Sequence, residues 1–141
     1  MVAMFLNPLD LKSAMGPGQY PVLQSLPLPV ISVGRDRSLL VFRQHALDEA
    51  GIAARTMLPE EAERLVHDPH PRVWVFCASI EISTLIYLAC TVRRNSPGSR
   101  LLLVERCDVA GIERSLFHQV ICKDTRIEQL TAAVRRYLAI S

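Results

Sequence analysis

The sequence predicts an α/β domain in which an open parallel sheet is covered by helices on both faces. Short apolar runs recur along the chain, and each is followed by a segment with apolar residues at helical spacing. The two middle runs, Val73-Trp74-Val75-Phe76-Cys77 and Leu101-Leu102-Leu103-Val104, do not alternate with polar residues, which is the pattern of strands buried on both faces. Five strands alternating with five helices then require right-handed crossovers.

The elements follow in order. Residues 1–28 carry Pro8, Pro17, Pro21 and Pro27 with Gly16 and Gly18 and show no period, so they read as an extended leader to a folded unit over 29–141. Val30-Ile31-Ser32-Val33 is the first strand. A helix follows with Leu39, Phe42, Ala46, Leu47 and Ala50 as its expected inner face and Gly51 as a left-handed stop. Residues 52–57 form the second strand. Pro59, with Glu60 and Glu61 behind it, opens a second helix that ends at Asp68-Pro69. After the third strand, a helix over 83–95 presents Leu85, Leu88, Ala89 and Val92, and Ser96-Pro97-Gly98 turns the chain into strand four. A weaker fourth helix is expected over 109–117, because Gly111 lowers its propensity. Val120-Ile121-Cys122 is the fifth strand. The fifth helix opens on the capping box Thr125-Arg126-Ile127-Glu128 and buries Ile127, Leu130, Val134, Tyr137 and Leu138.

Composition narrows the function classes. With 141 residues the chain holds one domain, and 50% hydrophobic residues make it globular. A net charge of +2 gives no concentrated basic face for nucleic acid. Cys77, Cys90, Cys107 and Cys122 form no Cys-x-x-Cys pair, so reduced thiols in a cytoplasmic protein are expected. Met1 to Leu6 lacks the basic region of a signal peptide and reads as a tail. The apolar stretch over 73–92 is interrupted by Glu81 and begins as a strand, which argues against a membrane span. No Gly-x-Gly-x-x-Gly or Walker loop is present.

The order of elements, the opening Val30-Ile31-Ser32-Val33-Gly34-Arg35-Asp36 and the closing Val120-Ile121-Cys122-Lys123-Asp124 resemble the receiver domain of two-component response regulators. The resemblance covers Pro29 to about Ile140 and implies a CheY-like, flavodoxin-like (βα)5 fold with strand order 2-1-3-4-5. In that family an acidic pair after strand one binds Mg2+, an aspartate ending strand three accepts the phosphoryl group, a serine or threonine ends strand four, and a lysine ends strand five. By position these become Gly34 and Arg35, Cys77, Glu105 and Lys123, so only the lysine persists.

Mg2+ takes oxygen ligands, and a glycine and a guanidinium supply none. Asp36 remains as an isolated carboxylate between Arg35 and Arg37, where it is expected to be neutralised. Phosphoryl transfer depends on positioning and charge stabilisation, so losing metal and acceptor together removes it. The expectation is a pseudo-receiver: an atypical signalling module, not an enzyme, with no catalytic residue, metal or cofactor. Glu105 is expected to pair with Lys123 or Arg35 and fill the former metal site.

The resemblance also implies a signalling protein as partner, or a homodimer, through the fourth helix, fifth strand and fifth helix, with neither nucleic acid nor membrane involved. Two other chemistries compete at the strand ends. Cys77 is a candidate sensing or nucleophilic thiol if Lys123 or Arg35 lowers its pKa, although a small buried hydrophobe is the plainer account. Cys77, Cys107, Cys122 and His118 make a less favoured soft-metal set. Arg126, Arg135 and Arg136 form a basic stripe on the last helix, read chiefly as a solvated face.

Overall fold

A computed structural model describes residues 28–77, 79–105, 114–122 and 126–140. Five strands, β1 (Val30–Val33), β2 (Ala54–Met57), β3 (Val73–Cys77), β4 (Arg100–Glu105) and β5 (Gln119–Cys122), form one parallel sheet in the order β2-β1-β3-β4-β5. This is the expected 2-1-3-4-5 order. Among the described residues four α-helices accompany it: α1 (Arg37–Glu49), α2 (Pro59–Ala62), α3 (Ile82–Asn95) and α4 (Ile127–Ile140).

The sheet divides the core into two layers by the alternation of strand side chains. Trp74 and Phe76 of β3 join Leu85, Leu88 and Val92 of α3 in one layer. Val73 and Val75 join Leu47 of α1 and Leu130 and Val134 of α4 in the other. Every residue of β3 is buried, as its uninterrupted apolar sequence requires. The apolar stretch over 73–92 is thus a strand followed by a helix, and no described helix is long and apolar enough to cross a membrane.

Several boundaries differ from expectation. The second helix is one turn long, and 63–67 continue it only as turns. Of the expected fourth helix, the described part is a 3-10 turn, Arg114–Leu116. Thr125 of the capping box lies outside the described residues.

The first helix keeps Leu47 of its expected face buried and packs Ala50 against the same layer, but the buried stripe is shifted at its start. It buries Leu40, Arg43 and Leu47, while Phe42 is 54% exposed. Both stripes run at helical spacing, offset by one residue, and apolar content alone favours the one without arginine. The helix start is fixed by Asp36, whose carboxylate accepts from the amides of Ser38 (3.0 Å) and Leu39 (3.3 Å). Asp36 is therefore an N-cap rather than a carboxylate neutralised by its arginine neighbours.

Cys122 is disulfide-bonded, whereas Cys77 and Cys90 are free, so the expectation of four reduced thiols fails at Cys122. The partner cysteine lies outside the described residues. Register, which spacing in the sequence does not reveal, sets Cys122 opposite Glu105 at the end of β4.

His118 also departs from expectation: it precedes β5 at the start of the strands, because Gln119 pairs with Leu102 while Cys77 pairs with Val104. Its Nδ1 accepts from the Leu101 amide at 3.0 Å, which requires a neutral ring. Burial, then the charges of Arg93 and Arg100, hold its pKa below the ordinary histidine value. The unfolded chain therefore binds the proton more readily, and stability falls as pH drops below about 6.5. Thermal denaturation at neutral and at mildly acidic pH should show a smaller acid loss for His118→Asn than for the native chain.

Candidate functional site

Parallel register brings the ends of β1 and β3 together, since Val33 pairs with Phe76. The residues that leave those two strands, Gly34 and Cys77, are consequently neighbours. A Cβ built on Gly34 would lie 3.0 Å from the Cβ of Cys77 and 3.5 Å from the hydroxyl oxygen of Ser79. Glycine is needed here for close approach, and no side chain at this position could reach out to a metal without displacing β3.

Arg35 extends from the same loop and ties three segments together. Its amide donates to Ser79 Oγ at 3.0 Å. Its Nε donates to both carboxylate oxygens of Glu81 (3.0 and 2.9 Å), and Nη1 donates to Glu60 at 2.8 Å. Glu60 begins α2 and Glu81 precedes α3, so one guanidinium spans the loops after β1, β2 and β3. The hydrogen bonds from Arg35 depress the Glu60 carboxyl, and a backbone hydrogen bond followed by Arg35 depresses that of Glu81. All three side chains are substantially exposed, so the network orders the loops more than it stabilises the fold, and salt screens it.

The expected pairing of Glu105 with Lys123 or Arg35 falls outside what is described, since the Glu105 side chain is not among the described ones. Arg35 is committed to Glu60 and Glu81, and Glu105 closes β4 opposite Cys122. Lys123 lies outside the described residues. Among the described residues no group of three His, Cys, Asp or Glu side chains could hold a metal ion.

Cys77 is 5% exposed, and the cation beside it is Arg43 of α1, itself 7% exposed. Burial pushes the thiol pKa up, but the charge of Arg43 and hydrogen bonds from Ser79 and Arg43 outweigh it and set the pKa below the ordinary thiol value. Sequence reasoning assigned this influence to Lys123 or Arg35. Arg43 was legible only as the middle member of a Leu40, Arg43, Leu47 stripe, three and four residues from its neighbours. The last helix's arginines are structural: Arg135 donates to the Ala50 carbonyl at the end of α1 (2.6 Å), and Arg136 bonds Gln119 of β5 and lies over Tyr137.

No protein-family model and no curated protein matches the sequence. Solved structures do match the fold. A CheY-like response regulator receiver domain protein from Methanospirillum hungatei superposes with a TM-score of 0.62 at 14% identity, over 79% of this chain and 97% of the other. The fold is that of a response-regulator receiver domain. The beryllofluoride-activated NtrC4 receiver domain dimer matches with a TM-score of 0.67 at 15% identity, covering 79% and 96% of the two chains. A structure described as an adenylate cyclase from Rhodopirellula baltica matches with a TM-score of 0.66 at 18% identity, covering 81% and 89%. At these identities the likeness concerns the receiver fold, and what the strand ends do follows from this chain's own residues.

Proposed function

We propose that the chain is a receiver-fold signalling module that acts through protein contacts without aspartyl phosphorylation. The observation that carries this is the closure of the strand-end site: Gly34 packs against Cys77, and a guanidinium bonded to two carboxylates stands where a metal-binding side chain would be needed. Among the described residues the carboxylates near Gly34, those of Glu60 and Glu81, are held by Arg35, which supports the absence of a metal-binding oxygen pair and with it of phosphoryl transfer.

Within this proposal, residues 29–141 are the module and 1–28 an extension of it. The module works on a protein partner, or on a second copy, through the surface built by β5, the last helix and the segment before β5. An NtrC4 receiver described as a dimer is consistent with that mode of contact. Incubation with acetyl phosphate and Mg2+, followed by intact mass, is expected to leave the protein unmodified. A phosphoryl adduct on a strand-end residue would end the proposal.

A second reading is favoured by the Arg43–Cys77 contact: a thiol-based sensor at the former acceptor position. In a Cys90→Ser background, the pH profile of Cys77 alkylation should have its midpoint below the free-thiol value of about 8.5 and should move up in Arg43→Met. Reaction no faster than that of a fully inaccessible thiol, with no response to Arg43→Met, removes this reading.

A further inference from the structure

The outer face of α1 carries apolar groups and charges that the fold leaves unused. Val41 is 70% and Phe42 54% exposed, and Phe42 also edges an apolar groove that runs on to Leu39, Ile127 and Leu130. Single exposed apolar residues are ordinary, but two adjoining ones continuous with an apolar groove make a patch. The charges run against the helix macrodipole. Beyond the Asp36 cap, Arg37 opens α1 and Asp48 and Glu49 close it, with no acid in the first turn and no base in the last. Carboxylates are ordinarily favoured at a helix start and cations at its end, so α1 by itself gains nothing from this order. Arg37 and Asp48 are eleven residues apart, about three turns, and so share one flank, with Phe42 midway between them. Arg37 has no ion-pair partner among the described residues, and Asp48 is positioned by Gln44, whose Nε2 donates to it at 2.9 Å.

We propose that α1 is a homodimer interface in which two copies of the chain pair antiparallel about Phe42. Twofold symmetry in that sense brings the same flank of each helix together end for end, so Arg37 of each copy meets Asp48 of the other, twice over. The Phe42 rings meet at the axis and bury the apolar patch, and the two macrodipoles lie head to tail. Charges that are misplaced for one helix are thus matched for a pair. Parallel pairing would set like charges level at both ends and lose the match. A helix of 13 residues is about 20 Å long, so the contact falls at the low end of specific interfaces and gives a weak, reversible dimer. Its centre on α1 lies outside the β5 and last-helix surface proposed above, so mutation separates the two contacts.

Sedimentation velocity of the full chain from about 20 µM to about 1 mM is expected to show monomer and dimer in reversible equilibrium. Phe42→Ser should weaken the dimer about tenfold or more, and so should Arg37→Asp or Asp48→Arg alone, each of which sets like charges together at both ends of the pair. Arg37→Asp combined with Asp48→Arg should restore it, because the exchanged charges meet again. Both exchanges agree with the macrodipole, so these variants keep the helix, as circular dichroism will confirm. A monomer at every concentration, whether α1 is bare or covered by another segment of the chain, overturns the proposal. So does a dimer indifferent to Phe42→Ser, or a double variant that stays as weak as the single ones.

Discussion

Trp74→Ala is expected to cost about 3–5 kcal/mol of stability, a large share of the roughly 5–15 kcal/mol typical of a domain. Trp74 is fully buried in the central strand, stacks on Phe76 with ring centroids 5.8 Å apart and planes 8° from parallel, and Phe76 meets Phe117 edge-on at 6.1 Å. Truncation removes one end of this aromatic chain, and the surrounding strands, paired on both sides, cannot collapse into the space. The indole Nε1 has no hydrogen-bond partner among the described residues, so Trp74→Phe discards an unsatisfied donor together with part of the ring. It should be distinctly milder. Urea unfolding checks both, as a lowered midpoint at unchanged slope. Equal losses for Phe and Ala would show that shape rather than burial governs the site.

Gly34→Asp, the change that would begin to rebuild an acidic pair, is expected to destabilise by about 1–3 kcal/mol instead of creating a metal site. The new Cβ would press on the Cβ of Cys77, an atom fixed to β3, with Leu40 Cδ2 at 3.4 Å closing the other side. Arg35→Asp at the exposed neighbouring position meets no such obstacle, so its stability change should be smaller. Combining both with Cys77→Asp should still give no Mg2+-dependent phosphorylation, since the Cβ of residue 34 would still meet that of residue 77 at 3.0 Å and force the two strand ends out of place. Thermal denaturation of the single variants and intact mass of the triple variant measure the two halves of this expectation.

The sheet was legible because β1, β3 and β4 are short runs of apolar residues in a chain otherwise broken by Gly, Pro and charge, and because helical periods fall between them. The juxtaposition of Gly34 with Cys77 followed from the receiver resemblance. Its electrostatics did not. Arg35 finds Glu60 and Glu81 at sequence separations of 25 and 46, and no local pattern specifies such a meeting. Glu60 read only as a favourable charge at a helix start, and Glu81 as an interruption of an apolar stretch. Arg43 was hidden for a different reason: an arginine on a helix is ordinarily a solvated residue, and here it shares a buried stripe with Leu40 and Leu47 against the sheet. The histidine near β5 was misplaced because strand ends cannot be located without register.

The proposed loss of metal-dependent phosphotransfer at the strand ends is tested most directly by amide NMR of the full chain titrated with Mg2+ and then beryllofluoride. Resonances of Gly34, Arg35 and Cys77 should stay in place, apart from a uniform ionic-strength effect on the exposed Arg35–Glu60–Glu81 network. Saturable, beryllofluoride-dependent shifts centred on Cys77 and Gly34 would contradict it.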